Sequence, residues 1–319
     1  MKRFFLGVAL AAAVFSVNAQ VQAGKPVRLI NPYPPGASSD VMARLFSEKV
    51  AAALHAPVIV ENRPGAGGAI GVSAVAQSAA DGHTLLFVNS GPVVIVPLLQ
   101  KTAFDPQKDL VPVTQVAFNV MILVARPQTA GSLKELVAQA RAQPGKLAYA
   151  SIGNGSLLHI AGEMLKKLAG VDLVHVPYKG TVPAITDVLN GQVTMAFSDL
   201  VATRPHLEAG TLRALGISGP RRWPAVPDVP LFSEQGYPAL DRFTGWWGVF
   251  APAATSRATV DQVAAAFNEA LREPLIRNRI SAANAEPTGT SPLEFGEIVK
   301  GDLARWSALL GELGSIRMD

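Results

Sequence analysis

The chain has 319 residues, of which 49% are hydrophobic and 16% charged, with no cysteine and a net charge of +4 at pH 7. The lack of cysteine excludes disulfides, thiolate nucleophiles and cysteine-ligated metals. The basic residues are scattered, and a nucleic-acid partner needs a basic stripe interleaved with aromatic residues. The composition therefore indicates a protein without a nucleic-acid partner, whose fold depends on its core alone.

The first residues have the pattern of a secretory signal peptide. Lys2 and Arg3 precede an apolar run at 4–17, followed by the small-residue cleavage patterns VNA at 17–19 and VQA at 21–23. The run is too short to span a bilayer, which needs roughly 20 apolar residues. We therefore predict a signal peptide over residues 1–23 and an exported, periplasmic protein whose mature chain begins near Gln20 or Gly24.

The stretch at 27–46 predicts a strand, a tight loop and the start of a helix. An apolar run leads into the loop YPPGASSD at 33–40, and apolar positions then recur at helical spacing. The first N–H groups of a helix have no partner within it, and the helix dipole adds partial positive charge there. Such a loop suits an anion, with Ser38 or Ser39 contacting the ligand; the alternative is a capped turn without a ligand. Asp40 suits the dipole but would repel an anion placed close to it.

Strands and helices alternate along the first part of the chain. The strand predicted at 83–88 ends in the small polar residues Asn89, Ser90 and Gly91. The glycines after the strand at 57–62 do not have the GxGxxG spacing of a dinucleotide site, so close helix packing explains them. The alternation predicts an α/β fold with mostly parallel sheets, in which ligands bind at the carboxyl ends of the strands.

A second strand, loop and helix start follow at 146–169. The strand at 146–151 leads through IGNGS at 152–156 into a helix, and neither this loop nor the first contains Lys or Arg. Two neutral loops rich in amides indicate a cleft that binds a carboxylate or a similar group. We place the crossings between two domains at 121–127 and 243–252. Domain 1 is then 24–124 with 248–319, and domain 2 is 125–247.

No group of side chains in the sequence indicates catalysis, a metal or a cofactor. The five histidines form no metal-ligand pattern. Ser156 with His159 invites a serine hydrolase interpretation, but GNGS is not the GxSxG elbow, and a nucleophile and its base rarely lie three residues apart. His159 could instead have a structural role, and Asp199 could either bind a ligand or cap the following helix. We predict a binding protein with no catalytic residues, and the alternative from another class is a secreted hydrolase that uses Ser156 and His159.

Six motifs are spread over the chain from about Pro26 to the C-terminus. They are YPPGASSD at 33–40, ENRPGAGG at 61–68, DGHTL at 81–85, GNGS at 153–156 with HIAGE at 159–163, VPYKG at 176–180 and PDVP at 227–230. In type and order they resemble the motifs of the Bug (TctC-like) periplasmic solute-binding proteins of tripartite tricarboxylate transporters.

The resemblance implies a two-domain Venus-flytrap fold, each domain a mixed, mostly parallel sheet flanked by helices. It implies capture of a small organic carboxylate, such as a di- or tricarboxylate or an aromatic acid, without chemistry. The implied partners are the membrane permease subunits of the transporter, with a ligand sensor for a signalling receptor as the alternative. We expect a monomer.

The resemblance also implies that the two loops hold the carboxylate through amides, hydroxyls and ordered waters. The implied ligand-binding residues are Tyr33, Gly36, Ala37, Ser38, Ser39, Asn89, Ser90, Ser151, Asn154, Gly155, Ser156, His159, Tyr178 and Asp199. The chain departs from the family at Ala37, where a Gly-Gly-Thr type run is common. It also has Ser198 where many members have an acidic residue, which favours ordinary carboxylates over an amino acid.

Overall fold

The computed structural model describes residues 20–154 and 156–313. The predicted signal peptide, up to residue 19, and Gly155 lie outside the described residues. The described chain forms two lobes, each a sheet flanked by helices. No helix in these ranges is long and apolar enough to cross a membrane.

Within the described ranges the chain forms eleven strands and ten α-helices. The strands are β1 (Val27–Asn31), β2 (Val58–Asn62), β3 (Thr84–Asn89), β4 (Leu110–Val120), β5 (Ile122–Ala125), β6 (Ala148–Ser151), β7 (Val174–Pro177), β8 (Met195–Ser198), β9 (Arg213–Ile217), β10 (Thr244–Pro252) and β11 (Glu286–Pro287). The helices are α1 (Ser38–Leu54), α2 (Ala69–Ala76), α3 (Val96–Leu99), α4 (Leu133–Ala142), α5 (Leu157–Ala169), α6 (Thr181–Asn190), α7 (Leu200–Glu208), α8 (Arg257–Ala270), α9 (Pro274–Ala282) and α10 (Pro292–Leu313).

Each lobe has one mixed sheet. The first lobe contains six strands in the order β11-β4-β10-β3-β1-β2, and the second contains five in the order β7-β6-β8-β5-β9. In the first sheet β1 pairs in parallel with β2 and β3, whereas β10 runs antiparallel between β3 and β4. In the second, β6 pairs in parallel with β7 and β8, whereas β5 runs antiparallel between β8 and β9. The strands that follow the two crossings, β5 and β10, are thus each antiparallel to both of their neighbours.

The two crossings lie a few residues before the predicted domain boundaries. Only Met121 separates β4 of the first sheet from β5 of the second, and all of β10 lies in the first sheet. Boundaries after residue 124 and before residue 248 would therefore cut β5 and β10. The β-rich stretch at 111–124 spans both strands without a glycine or a charged residue, so the sequence has no marker at Met121.

Helix α10 packs against both lobes. Near its start, the buried Phe295 ring lies 4.9 Å from that of Trp246 in β10. Further along, Trp306 meets Phe243 edge-on at 5.0 Å, and the helix also contacts α5 of the second lobe. The Trp246 indole donates to Asp302 Oδ2 at 2.9 Å. The helix therefore adds a third link between the lobes.

Gly248 in β10 provides space for the Phe295 ring. A Cβ added at Gly248 would overlap this fully buried ring, whereas one added at Gly296 of α10 would meet nothing within 4 Å. We expect Gly248→Ala to lower the free energy of unfolding by about 1–3 kcal/mol, because the packed ring must shift. Gly296→Ala should leave it unchanged or raise it by up to ~1 kcal/mol. Urea unfolding checks both variants, and equal values would contradict the packing argument.

Candidate functional site

The carboxylate of Asp40, which is 3% exposed, holds the loop between β1 and α1. Its Oδ2 accepts the Gly36 N–H at 2.9 Å, and its Oδ1 accepts Asn62 Nδ2 at 2.8 Å. Arg44 Nε lies 3.1 Å from both oxygens, and Asn62 Nδ2 also donates to the Tyr33 carbonyl. Burial alone would raise the pKa of Asp40, but these hydrogen bonds outweigh it and lower the pKa. The carboxylate is thus directed into the loop and not towards an anion at the helix start.

Helix α1 begins without a side-chain cap. Its N-cap residue is Ala37, whose N–H donates to the Pro34 carbonyl at 3.2 Å. Together with the bond from Gly36 to Asp40, this occupies two amides that were implied as ligand contacts. The hydrogen bonds of the described residues include none from the N–H groups of Ser38 or Ser39. Ser39 Oγ is buried and has no partner there either. Neither serine caps the helix, and their donors are left for another group.

Strands β1, β2 and β3 each end in asparagine. Asn31 lies beside Asn62 in the β1–β2 register, and Asn89 ends β3. Asn89 Oδ1 accepts the Tyr33 hydroxyl at 2.6 Å. Burial raises the pKa of Tyr33, so its phenol stays protonated and acts as the donor. Ser90, which is 6% exposed, follows directly. The structure therefore joins the first loop to the carboxyl end of β3.

Two further residues, which were not among the predicted ligand-binding residues, lie at this edge of the sheet. Asn31 is fully buried, and neither of its amide atoms has a partner among the described residues. Trp247 pairs with Asn89 across the β10–β3 ladder, and its buried Nε1 is likewise unpartnered in that part of the chain. Leaving a buried polar atom without a hydrogen bond costs about 1–3 kcal/mol. The unpartnered atoms of Asn31 and Trp247 therefore indicate a polar site and not apolar packing. Three successive strands that end in asparagine are the signal by which Asn31 could have been found.

The second-lobe loop is held at both ends by serine. Ser151, the fully buried last residue of β6, accepts the Gly153 N–H at 3.1 Å, and its Oγ lies 2.7 Å from His175 Nε2. Ser156 is the N-cap of α5, and its Oγ accepts the His159 N–H at 3.2 Å. Ser156 is therefore a helix cap through the backbone of His159, an arrangement that does not pair it with the imidazole as a nucleophile.

The rings of Tyr149, His175 and His159 stack beside this loop. The centroids of His159 and His175 are 4.0 Å apart with the planes at 14°, and those of His175 and Tyr149 are 5.0 Å apart at 28°. The Tyr149 hydroxyl donates to Glu163 Oε1 at 2.7 Å, and Lys166 Nζ donates to the same oxygen at 3.1 Å. The stack joins β6, β7 and α5. His175 was missed because a single histidine in an apolar strand has no distinctive pattern.

Both histidines of the stack have a lowered pKa. Burial lowers the pKa of His159, against an opposing effect of Glu163. Burial, followed by the neighbouring His159, lowers the pKa of His175 to about 4. At neutral pH both rings are therefore uncharged, and His175 can accept a hydrogen bond at one ring nitrogen.

Two other predicted residues already have partners within the second lobe. The Tyr178 hydroxyl donates to Asp187 Oδ2 at 2.7 Å, and burial together with this bond raises the pKa of Tyr178 to about 12. Asp199 is the N-cap of α7, where its Oδ1 accepts the Ala202 N–H at 3.0 Å. Its Oδ2 accepts the Thr181 hydroxyl at 3.2 Å. Of the two alternatives for Asp199, the structure shows the helix cap.

The predicted residues thus form two sets, one at the carboxyl ends of the parallel strands in each sheet. Asn154 is exposed on the second loop, and Gly155 lies outside the described residues. Neither loop contains Lys or Arg, so each offers an anion uncharged donors. A helix begins directly after each loop, and its dipole adds partial positive charge. This arrangement is suited to binding an anion.

The model of the family described as tripartite tricarboxylate transporter family receptor matches residues 42–315. The chain belongs to this family. BugT of Bordetella pertussis is 35% identical over 311 residues, which cover 97% of this chain and 95% of BugT. MatC of Rhodopseudomonas palustris, solved with bound malate, is 31% identical with a TM-score of 0.78, covering 90% of this receptor and 99% of MatC. Another R. palustris protein, solved with adipate, is 30% identical with a TM-score of 0.80, covering 91% of this receptor and 97% of that protein.

These findings confirm the family and the two-domain α/β fold predicted from the motifs. The proteins that this receptor resembles are periplasmic binding proteins and not enzymes. The prediction of a binding protein is therefore confirmed at the level of class.

The buried carboxylate of Asp40 should be needed for stability of the receptor. In Asp40→Asn one of its three donors would face an amide NH₂, so we expect the free energy of unfolding to fall by about 1–3 kcal/mol. The control is Asp261→Asn, which removes an exposed pair with Arg257 one turn away and should change it by under ~0.5 kcal/mol. Urea unfolding at pH 7 measures both, and equal losses would contradict the role of Asp40.

The histidine stack should make the receptor less stable in acid. The pKa of His175 is lower in the folded chain than the unperturbed value near 6.5, so the unfolded chain binds more protons between about pH 6.5 and 4. The free energy of unfolding should therefore fall as the pH falls through this range. Urea unfolding at several pH values should show a smaller fall for His175→Gln than for the wild type. Parallel curves for the two proteins would show that His175 does not contribute to the loss of stability in acid.

Proposed function

We propose that this receptor captures a small organic carboxylate in the cleft between its lobes and presents it to the permease subunits of a tripartite tricarboxylate-type transporter. The observation that carries the proposal is the uncapped start of α1. There the amides of Ser38 and Ser39, and the buried hydroxyl of Ser39, are donors without an acceptor in the described chain. Donors at a helix N-terminus favour an anion.

The topology supports a site formed by both lobes. Each loop follows the carboxyl end of a strand that has parallel neighbours, where α/β sheets bind their ligands. The crossings at Met121 and before β10 would serve as hinges. A ligand that contacts both loops stabilises the closed arrangement by its additional contacts, which shifts the population of lobe positions without chemistry.

The ligand class follows from the donors and from the relatives. Malate is bound to MatC and adipate to the second R. palustris protein, and both compounds are dicarboxylates. The carboxylate of Asp199 already accepts two hydrogen bonds within the second lobe, which favours a ligand without an amino group. We therefore propose di- and tricarboxylates as the preferred ligands, followed by aromatic acids. We further propose that the chain is exported to the periplasm by its N-terminal segment and acts as a monomer.

A thermal-shift screen of the mature protein tests the ligand class. The probes are malate, adipate, citrate, benzoate and aspartate, the last differing from malate by an amino group in place of the hydroxyl. A ligand at 100 times its Kd should stabilise the fold by about 2.7 kcal/mol, which raises the melting midpoint. We expect a shift with at least one carboxylate and a smaller one with aspartate. No shift with any of them would overturn the proposal.

Ser39→Ala then tests the site itself. It removes a hydroxyl without a protein partner in the described chain, so stability should be unchanged or slightly higher while carboxylate affinity falls by about tenfold or more. The matched control is Ser132→Ala, which removes the cap of α4 and should cost about 1 kcal/mol of stability without changing affinity. Calorimetry with the carboxylate found in the screen measures affinity. Unchanged affinity in Ser39→Ala would exclude this helix start from the site.

A further inference from the structure

His175 contacts two of the predicted ligand-binding residues although it was not among them. Its Nε2 lies 2.7 Å from Ser151 Oγ, where the second loop starts, and its ring stacks on His159 in the first turn of α5. The loop between these two residues carries the second lobe's amides. One side chain on β7 therefore contacts both ends of the loop.

The hydrogen bonds of Ser151 determine what His175 supplies. The Gly153 N–H donates to Ser151 Oγ at 3.1 Å, which leaves the hydroxyl proton to be donated. Two acceptors are within reach, His175 Nε2 at 2.7 Å and the Gly153 carbonyl at 3.2 Å. The shorter contact is to the imidazole. A neutral His175 protonated on Nδ1 accepts at Nε2, so a continuous chain runs from the Gly153 amide through the Ser151 hydroxyl to the ring.

The groups packed around His175 favour its neutral form. Tyr149 faces it from β6, and His159, Glu163 and Lys166 face it from α5. A proton on His175 would lie against the second imidazole and near the Lys166 ammonium, with Glu163 alone compensating. Glu163 is already engaged by both Tyr149 and Lys166. The acceptor at Nε2 is therefore kept available across the neutral pH range.

We propose that His175 is a positioning residue for ligand binding. It accepts the Ser151 hydroxyl and so fixes the turn from Ser151 to Gly153 before the ligand arrives, while its stack on His159 fixes the start of α5. This inference rests on the proposed function, because it assumes that the second loop contacts the carboxylate. Ordering the loop in the free protein lowers the entropic cost of binding, so its loss should weaken affinity without removing any ligand contact.

Two substitutions separate the hydrogen bond from the ring stack. His175→Gln keeps an acceptor at about the reach of Nε2 but gives up the aromatic ring. His175→Phe keeps a ring between Tyr149 and His159 but has no acceptor. If His175 contributes only by ring packing, His175→Phe will retain more of the wild-type affinity. If His175 acts by positioning Ser151, His175→Gln will retain more of it.

Calorimetry with malate and with adipate at pH 7.5 measures the effect on binding. We expect His175→Gln to bind within about threefold of the wild type and His175→Phe to bind about tenfold more weakly, a change of about 1.4 kcal/mol. The melting midpoint of the free His175→Phe variant should equal or exceed that of His175→Gln. Wild-type affinity in His175→Phe, or equal weakening in both variants, would overturn the proposal.

Amide hydrogen exchange in the free protein gives a measurement that needs no ligand. The Gly153 amide should exchange slowly in the wild type and in His175→Gln, and at least tenfold faster in His175→Phe. The Glu135 amide, which donates to the Ser132 cap of α4, is the internal reference and should not change. Equal Gly153 exchange in all three proteins would overturn the positioning role. If the wild type binds neither compound, the proposed ligand class fails, whereas the exchange result still decides whether His175 orders the loop.

Discussion

One buried carboxylate determines the form of the first-lobe loop. Asp40 accepts hydrogen bonds from Gly36 in the loop, from Asn62 at the end of β2 and from Arg44 in α1. It thereby connects the loop to these two elements. A carboxylate at this position would ordinarily repel an anion at the helix start. Because its oxygens are occupied by these donors, its charge is directed inward and its position organises the loop. The amides of Ser38 and Ser39, the next two along the chain, are then left unbonded within the described residues.

The two lobes reach comparable loops by different means. In the first, the N-cap residue is Ala37, and the helix start has no side-chain cap. In the second, Ser156 caps α5 and the loop is held from beneath by Ser151 and the stacked histidines. The first loop thus has unbonded donors beside the Asp40 carboxylate. The second loop is held by uncharged side chains, namely the serines and the neutral histidines. A ligand held between them would meet no fixed cation on either loop, so its charge would be balanced by amides and helix dipoles.

The links between the lobes set the conditions for closure. The first crossing is a single residue, Met121, whose N–H donates to Ser218 Oγ at 2.8 Å. Ser218, which follows β9, donates in turn to the carbonyl of Phe243, the residue just before β10. This pair of bonds ties the two crossings together, and Trp306 of α10 packs on Phe243 beside them. Rotation of the lobes would therefore pivot about a compact, buried group and not about loose linkers.

The sequence by itself determined the order of the elements, because periodicity, caps and glycines act locally. Three of the observed caps are Ser132 before α4, Ser156 before α5 and Gly191 after α6, and each is a residue type that favours its position without help from distant residues. The six motifs determined the family, and with it the fold and the class of protein. The helical turns at 91–99 were not predicted, because this stretch is apolar throughout and has no polar face. Strand β11 was not predicted, because two residues are too few to show a periodicity.

Only the tertiary structure decided which of the polar residues are free to meet a ligand. The amides of Gly36 and Ala37 are used within their own loop, and Asp199 and Tyr178 have partners in the second lobe. Trp247 and His175 reach the two loops from strands distant in sequence, whereas Asn31 ends the strand that leads into the first loop. Whether a donor is satisfied depends on neighbours that folding brings from elsewhere in the chain, and no local pattern contains that information.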